Sequence, residues 1–424
     1  MIQTKFLLYG ARQIGKSFII RHEAQSLFKH YIEINFLEDK MKDRLFAEAR
    51  TTDDFYLRLS IIAGEKMKDK RNTLVFLDEI QAYPHLLTLL KFLRQEDKFT
   101  YIASGSQLGV TLRQTESVPI GSIEIAHMFP LDFEEFLWAN GVGELAINVL
   151  REKFANLESL DEAMHNKMMD LFRKYLLVGG LPDAVNTYIE SHNIVDVRKI
   201  QSDIVSLYRV DAAQYDREHA LKIQRIYDMI PSYMKNKKKR LVISKIENKK
   251  GKRSINYADE FDYLVHSGIA LEVKAISNPV FPLIESSGKK LLKLYLNDVG
   301  VLTEMLFKYN IAAVLDDHNS VNLGSVYETA VASELRAHGC KLFYFDNKQH
   351  GEVDYLIDSY DTLSVVPIEV KSGKDYTIHR ALNHFVSNKE YGIKSAYVLS
   401  NSREIKQKGK IVYMPVYNVM FIKS

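Results

Sequence analysis

KFLLYGARQIGKSFII, residues Lys5 to Ile20, decides how the chain begins to fold. The apolar run Phe6-Leu7-Leu8-Tyr9 reads as a buried strand. Gly10-Ala11-Arg12-Gln13-Ile14-Gly15-Lys16-Ser17 follows it and has the spacing G-x-x-x-x-G-K-[ST] of a phosphate-binding loop. Gly10 and Gly15 permit backbone conformations that a Cβ would forbid. The loop can then turn its N–H groups inward around phosphates, at the positive end of the helix that Ser17 opens. Lys16 is a compact cation on a long stem, suited to β- and γ-phosphates. The Ser17 hydroxyl is a hard oxygen ligand for Mg²⁺. The expected ligands are therefore ATP and Mg²⁺, held by Gly10, Ala11, Arg12, Gln13, Ile14, Gly15, Lys16 and Ser17.

Working outward, the alternating stretch His30 to Phe36 reads as a second strand, and charged, periodic residues up to about Lys70 read as helix. Thr73-Leu74-Val75-Phe76-Leu77-Asp78-Glu79 is an apolar run ending in two acids, the pattern of a strand buried on both faces of a parallel sheet. The acids fall at its C-terminal end, where ligands bind in open α/β sheets. Asp78 is the candidate for binding Mg²⁺ through a water, and Glu79 for orienting and deprotonating the attacking water. Phe99 to Gln107 reads as another buried strand ending in small polar residues. Ser104, Ser106 and Gln107 are there the candidates for sensing a γ-phosphate. Ile123 to Phe129 reads as a fifth strand, and Pro130 to Leu137 as the start of a helix with an acidic first turn.

Whole-chain properties narrow the class. With 424 residues, 46% hydrophobic and 26% charged, the chain has the composition of a globular protein of two to four domains. The single cysteine, Cys340, excludes a disulfide framework, a Cys-based zinc site and a four-Cys iron–sulfur cluster. It fits a reducing, cytoplasmic compartment. No run of about 18 apolar residues exists, so no membrane partner is expected, and the N-terminus enters a strand with no room for a signal peptide.

GARQIGKS, LVFLDEIQ, YIASGSQLG and FPLDFEEFL together resemble the AAA-type P-loop ATPases of bacteria and archaea. In that family the ATPase is followed by a helical and winged-helix segment and a C-terminal nuclease-like domain of unknown function. The resemblance implies an α/β fold. A P-loop NTPase parallel sheet occupies 1–150, a helical and winged-helix segment 151–290, and an α/β nuclease-like domain 291–424. This chain departs from the family at two places. It has almost no segment ahead of the first strand to help form a base pocket. It also has Ser122 after Gly121, where the family commonly has Arg, leaving Arg94 and Arg113 as weak substitutes.

Residues from about 150 to 230 read as helical, broken by the turn Val178-Gly179-Gly180-Leu181-Pro182; the family has a similar turn. Between Lys235 and Arg253 the local charge is +9, which leaves −6 for the rest of a chain of net charge +3. Ile243 to Asn248 and Tyr257 to His266 read as helices, with Gly268 as cap and Ile269 to Val273 as a strand, an order that suits a winged helix. Lys237, Lys238, Lys239 and Arg240 are then candidates for contacting nucleic-acid phosphates, although a solvated loop shows the same composition. Further on, Lys293 to Gly300, KLYLNDVG, resembles the stretch that leads into the family's last domain. Glu328, Asp354, Glu369 and Lys371 give an E…D…E-x-K pattern that resembles the PD-(D/E)XK nuclease core. On a strand, Glu369 and Lys371 share a face. The carboxylates would offer hard oxygens to Mg²⁺, and Lys371 would orient water or offset phosphorane charge. A nuclease-like fold that no longer cuts has the same pattern.

The expected activity is Mg²⁺-dependent ATP hydrolysis coupled to nucleic acid. The alternative is a nucleotide-sensing regulatory or defence switch with little turnover and no nuclease activity. The expected partners are a nucleotide, DNA and further copies of the chain. Neutralising Lys237, Lys238, Lys239 and Arg240 together should lower the salt slope of DNA binding by about 0.9 for each phosphate that is no longer paired with a cation. Titrations at several salt concentrations check this, and an unchanged slope assigns the run to solvated loop.

Overall fold

The computed structural model describes residues 6–114, 124–215, 219–234, 243–247, 254–286, 292–315, 322–347, 349, 351–373, 377 and 379–423. Two compact units divide the chain. The first runs to Phe129 and takes in His266–Gly268; the second holds Pro130–Val265 and Ile269 onward.

The first unit is built on five strands: β1 (Phe6–Tyr9), β2 (His30–Asn35), β3 (Thr73–Asp78), β4 (Thr100–Gly105) and β5 (Glu124–His127). All pair in parallel, in the order β2-β3-β4-β1-β5. Every residue of β3 is buried. Its period of two divides the core: Leu74 and Phe76 pack with Ile20 and Ala24 of the helix Lys16–Leu27, while Val75 and Leu77 join the cluster of Phe36, Phe46, Phe55 and Leu90 on the other face. Ile20 and Ala24 are four residues apart, so they share one helical face. The stretch expected to be helical up to Lys70 is instead the helices Phe36–Met41 and Thr52–Ala63 followed by two 3₁₀ turns. Gly64, at φ +50°, ends the longer helix in a conformation that a side chain would resist.

The second unit pairs a helical layer with a mixed sheet. Its helices include Phe133–Ala139, Glu144–Ala155, Glu162–Val178, Pro182–Ser191, Ile194–Tyr215 and Ala220–Met234. The sheet has eight strands: β6 (Ala270–Ile276), β7 (Leu292–Leu296), β8 (Phe343–Asn347), β9 (Gly351–Ser359), β10 (Ser364–Lys371), β11 (Ala396–Ser400), β12 (Lys406–Lys408) and β13 (Ile411–Pro415). Their order is β12-β13-β11-β10-β9-β8-β6-β7. The strand read from the sequence as leaving a pair of helices is β6. It follows the helix Ala258–His266, lies parallel to β8 and antiparallel to β7, and so belongs to this large sheet. Lys237, Lys238, Lys239 and Arg240 lie outside the described residues, as do Gly121 and Ser122. Among the described residues no helix is long and apolar enough to cross a membrane.

Two short motifs far apart in sequence meet in this unit. Asp298 caps the helix Val299–Phe307, its Oδ1 accepting from Val301 N at 2.8 Å. Its Oδ2 accepts from Gly180 N at 2.7 Å. A Cβ on Gly179, at φ +73°, would lie 2.3 Å from Asp298 Oδ1, so the glycine makes room for the carboxylate. Arg198 donates to the carbonyls of Leu177 and Gly300, and Gln201 to those of Leu177 and Val178. The Gly179-Gly180 turn thus satisfies its backbone groups with side chains of two other segments, as a buried non-repetitive turn must.

Burial raises the Asp298 carboxyl to about 6, against the lowering effect of its backbone N–H bonds and of Arg198. The folded protein therefore holds this proton more tightly than the unfolded chain does. The group's effect on stability is most favourable below about pH 4 and is lost as pH rises through 6, by up to about 3 kcal/mol. Denaturant unfolding at pH 4 and pH 7 checks this. The stability of the wild type relative to Asp298→Asn should increase by up to that amount at the lower pH.

Candidate functional site

The loop after β1 is shaped by residues that accept left-handed backbone: Gly10 at φ +152°, Gln13 at +64° and Gly15 at +88°. A Cβ on Gly10 would stand 2.3 Å from the Met128 carbonyl oxygen and 2.6 Å from Ile14 Cδ1. Only glycine lets the strand-to-loop corner pass so close to the segment after β5. Lys16 opens the helix Lys16–Leu27, and its side chain folds back over the loop. Its Nζ donates to Gly10 O at 3.0 Å and Ala11 O at 2.6 Å. Burial lowers this ammonium to about 8, while Glu79 and Asp78 pull it upward. A desolvated ammonium resting on neutral carbonyls gains from the arrival of an anion.

Asp78 ends β3 beside this loop. Its carboxylate accepts from Ser17 Oγ (3.3 and 3.2 Å), from Ser104 Oγ, from Asn35 Nδ2 (3.4 Å) and from Glu79 N (3.1 Å). Burial raises its pKa, with the hydrogen bonds of Ser104 and Ser17 opposing the shift. Glu79 takes a left-handed conformation, φ +52° and ψ +42°, uncommon for a residue with a side chain and frequent at functional sites. Its Oε2 accepts from Gln81 Nε2 and from Ser106 Oγ (3.3 Å), and Arg12 Nε donates to the same Ser106 hydroxyl at 3.3 Å. Lys16, Ser17, Asp78, Glu79, Arg12 and Ser106 thus come together at the carboxyl ends of β1, β3 and β4.

Gln107, next to Ser106, is seen only through its backbone. It contributes its backbone carbonyl, which accepts from Val110 N and Thr111 N at 3.1 Å as the helix Leu108–Gln114 begins. Of the polar residues ending β4, Ser104 touches Asp78 and Ser106 touches Glu79. The sequence reading missed two residues of the site. Asn35 was legible as the polar end of β2, a parallel strand beside β3. Gln81 carries no local signal beyond its place two residues after Glu79; Gly105 lacks a Cβ that would otherwise fall 1.9 Å from Gln81 Oε1.

In the second unit, Tyr355 pairs with Ile368 between antiparallel β9 and β10, and continuing that register sets Asp354 opposite Glu369 on one sheet face. Glu369 Oε1 accepts from Lys371 Nζ at 2.7 Å, Asp354 Oδ2 from Val370 N at 2.9 Å, and Glu328 Oε2 from Tyr295 Oη at 3.2 Å. Burial and then Asp354 raise the Glu369 carboxyl to about 8, against Lys371. Glu328 and Asp354 both act electrostatically on Glu369, but among the described residues no three ligand oxygens of these acids lie within 4.8 Å of one another.

The parallel sheet and the loop at the end of β1 define a P-loop nucleotide-binding domain. Residues 3–137, which include the strands of the first unit, match the family described as AAA domain. Residues 169–310 and 323–419 match two families, each described as a domain of unknown function (DUF8612 and DUF4143). Among solved structures, a closed-state cryo-EM reconstruction of Hsp104 with ATPγS and FITC casein is 15% identical, covering 52% of this chain and 44% of that one, with a TM-score of 0.26. The structure of Drosophila ORC bound to DNA is 13% identical, covering 74% and 90%, with a TM-score of 0.25. The chain thus spans under half the length of the Hsp104 chain it matches. No curated protein matches it.

Lys16→Ala removes the ammonium and should weaken nucleotide binding roughly ten- to a hundredfold, the size of a charge-assisted hydrogen bond. Equilibrium titration with ATP and Mg²⁺ measures it; unchanged affinity would place the nucleotide elsewhere.

Proposed function

We propose that the protein is a Mg²⁺-dependent ATPase whose nucleotide lies along Gly10 to Ser17. The observation that carries this reading is the contact of the Ser17 hydroxyl with the Asp78 carboxylate beside the Lys16 ammonium. A hydroxyl and a carboxylate are hard oxygen donors, a set that fits Mg²⁺ held through the hydroxyl and through water. Bound Mg-ATP supplies the electrophilic phosphorus and the cation that offsets phosphate charge. Lys16 exchanges two loop carbonyls for phosphate oxygens, and the loop N–H groups orient the same anion. Glu79 is the group placed to take the proton of the attacking water. Ser106, tied to both Glu79 and Arg12, is positioned to respond when Arg12 turns toward a phosphate.

One observation favours the reading of a nucleotide-sensing switch with slow turnover. Glu79 Oε2 is already engaged by Gln81 and Ser106, which restrains the carboxylate that would take the proton. The coupling to DNA and further copies of the chain belongs to this proposal as well, and so does the cluster of Glu328, Asp354, Glu369 and Lys371 as a metal or phosphodiester site. Its support is the shared sheet face of Asp354 and Glu369. Incubating the protein with DNA and Mg²⁺ or Mn²⁺ decides whether that cluster cuts.

Turnover with and without DNA tests the main proposal. Glu79→Gln should retain ATP while slowing hydrolysis by about 10²–10⁴-fold, because an amide cannot accept the proton. Normal turnover in that variant would place the base elsewhere. Faster turnover in Gln81→Ala would identify the Glu79–Gln81 bond as the restraint of a switch.

A further inference from the structure

The side chains of Asp132, Glu334 and His338 converge in the second unit, with one ligand atom from each lying within 4.8 Å of the others. Each is held by bonds that leave the facing atom uncommitted. Asp132 is the N-cap of the helix Phe133–Ala139; its Oδ1 accepts from Glu135 N at 2.9 Å, which leaves Oδ2 for the cluster. Glu334 is fully buried on the helix Gly324–Ala337. Its Oε1 accepts from Phe133 N at 2.6 Å and the Tyr175 hydroxyl interacts with the same carboxyl group, whereas Oε2 makes no hydrogen bond of good geometry. His338 caps that helix, and its Nδ1 faces the Ile422 carbonyl oxygen at 2.8 Å. A carbonyl only accepts, so Nδ1 carries a proton, and Nε2 is the nitrogen turned toward the two carboxylates. Metal-binding histidines are oriented in this way.

The spacing separates a metal from a proton. His338 Nε2 lies 3.6 Å from Asp132 Oδ2 and 4.0 Å from Glu334 Oε2. Both exceed the 2.7–3.2 Å of an N–H···O bond, so an imidazolium would bond neither acid well. Two ligands held at 2.0–2.2 Å by a tetrahedral ion stand about 3.3–3.6 Å apart, so the His338–Asp132 separation already fits, and the 4.0 Å to Glu334 requires a small inward shift on binding. An unpartnered oxygen on a fully buried carboxylate is costly and calls for a cation. The neighbouring Glu135 is another acid and offers no positive charge; its Oε2 accepts from Asp132 N.

We propose that Asp132, Glu334 and His338 form a binding site for a divalent transition-metal ion, with Zn²⁺ as its simplest occupant. One imidazole nitrogen and two carboxylate oxygens suit such an ion better than the all-oxygen sets that Mg²⁺ and Ca²⁺ prefer. Asp132 is partly exposed, which leaves the fourth position to water. The ion would join the start of the second unit, the end of the helix Gly324–Ala337 and, through His338, the last residues of the chain.

The test uses the full chain, stripped with EDTA and titrated with Zn²⁺ alone, without nucleotide. Asp132→Asn and Glu334→Gln keep the amide oxygens that accept from Glu135 N and Phe133 N, so they isolate the loss of a ligand. Each should weaken Zn²⁺ binding at least about tenfold. His338→Ala should remove the binding, together with the visible ligand-field bands of a Co²⁺-loaded protein. Zn²⁺ should raise the thermal midpoint of the wild type and not that of the Asp132→Asn/Glu334→Gln double variant. Should His338→Ala fail to fold, the two amide variants still decide. No uptake by the wild type, or equal uptake by the double variant, overturns the proposal. So does loss of the ion in an Asp78→Asn/Glu369→Gln chain, which would assign it to one of the other acidic sites.

Discussion

A single buried carboxylate gathers the ends of four strands in the first unit. Asp78 stands at the end of β3 and receives hydrogen bonds from Ser17 beyond β1, Asn35 at the end of β2 and Ser104 near the end of β4. Parallel pairing brings these termini to one edge of the sheet, and the carboxylate turns proximity into a fixed arrangement. The cost of desolvating Asp78 is offset in part by these donors, so its geometry and that of the loop depend on each other. A site of this kind tolerates little displacement of any one strand.

The second unit solves a similar problem with different means. The Gly179-Gly180 turn and the start of the helix Val299–Phe307 pack so closely that side chains are excluded at Gly179 and Gly300, and the Leu131 backbone excludes one at Gly180. The freed space is filled by Asp298, Arg198 and Gln201, which bond the backbone groups that the turn exposes. Charge is here used internally, to satisfy peptide groups in a dry interior.

What the sequence revealed follows the distance over which each interaction acts. The loop Gly10 to Ser17 is continuous in sequence, and its glycine spacing is a direct image of its backbone conformation. The acids Asp78 and Glu79 were visible because the apolar run Leu74 to Leu77 precedes them in a strand with both faces buried. Which polar residue of β4 touches Asp78 was not visible, since Ser104, Ser106 and Gln107 differ only by the direction the chain takes as the strand ends. The membership of β6 in the large sheet depends on pairing with β8, which lies far along the chain beyond β7 and the helix Gly324–Ala337. The convergence of Asp132 with Glu334 and His338 is equally non-local. A closer local reading would have found one part of it, because Asp132 followed by Glu135 is the D-x-x-E signature of a capping box.

The helix Gly324–Ala337 places Glu328 where it acts on Glu369, while Glu334 and the capping residue His338 lie beside Asp132. An α-helix advances 1.5 Å and turns 100° with each residue. Inserting or deleting one residue between Glu328 and Glu334 would therefore swing the side chains of one cluster away while leaving the other's in place. The length of this segment is thus under a stricter rule than its composition. Exchange of an apolar side chain between the two acids alters packing alone, whereas a change in residue count breaks the phase between two clusters that share no side chain.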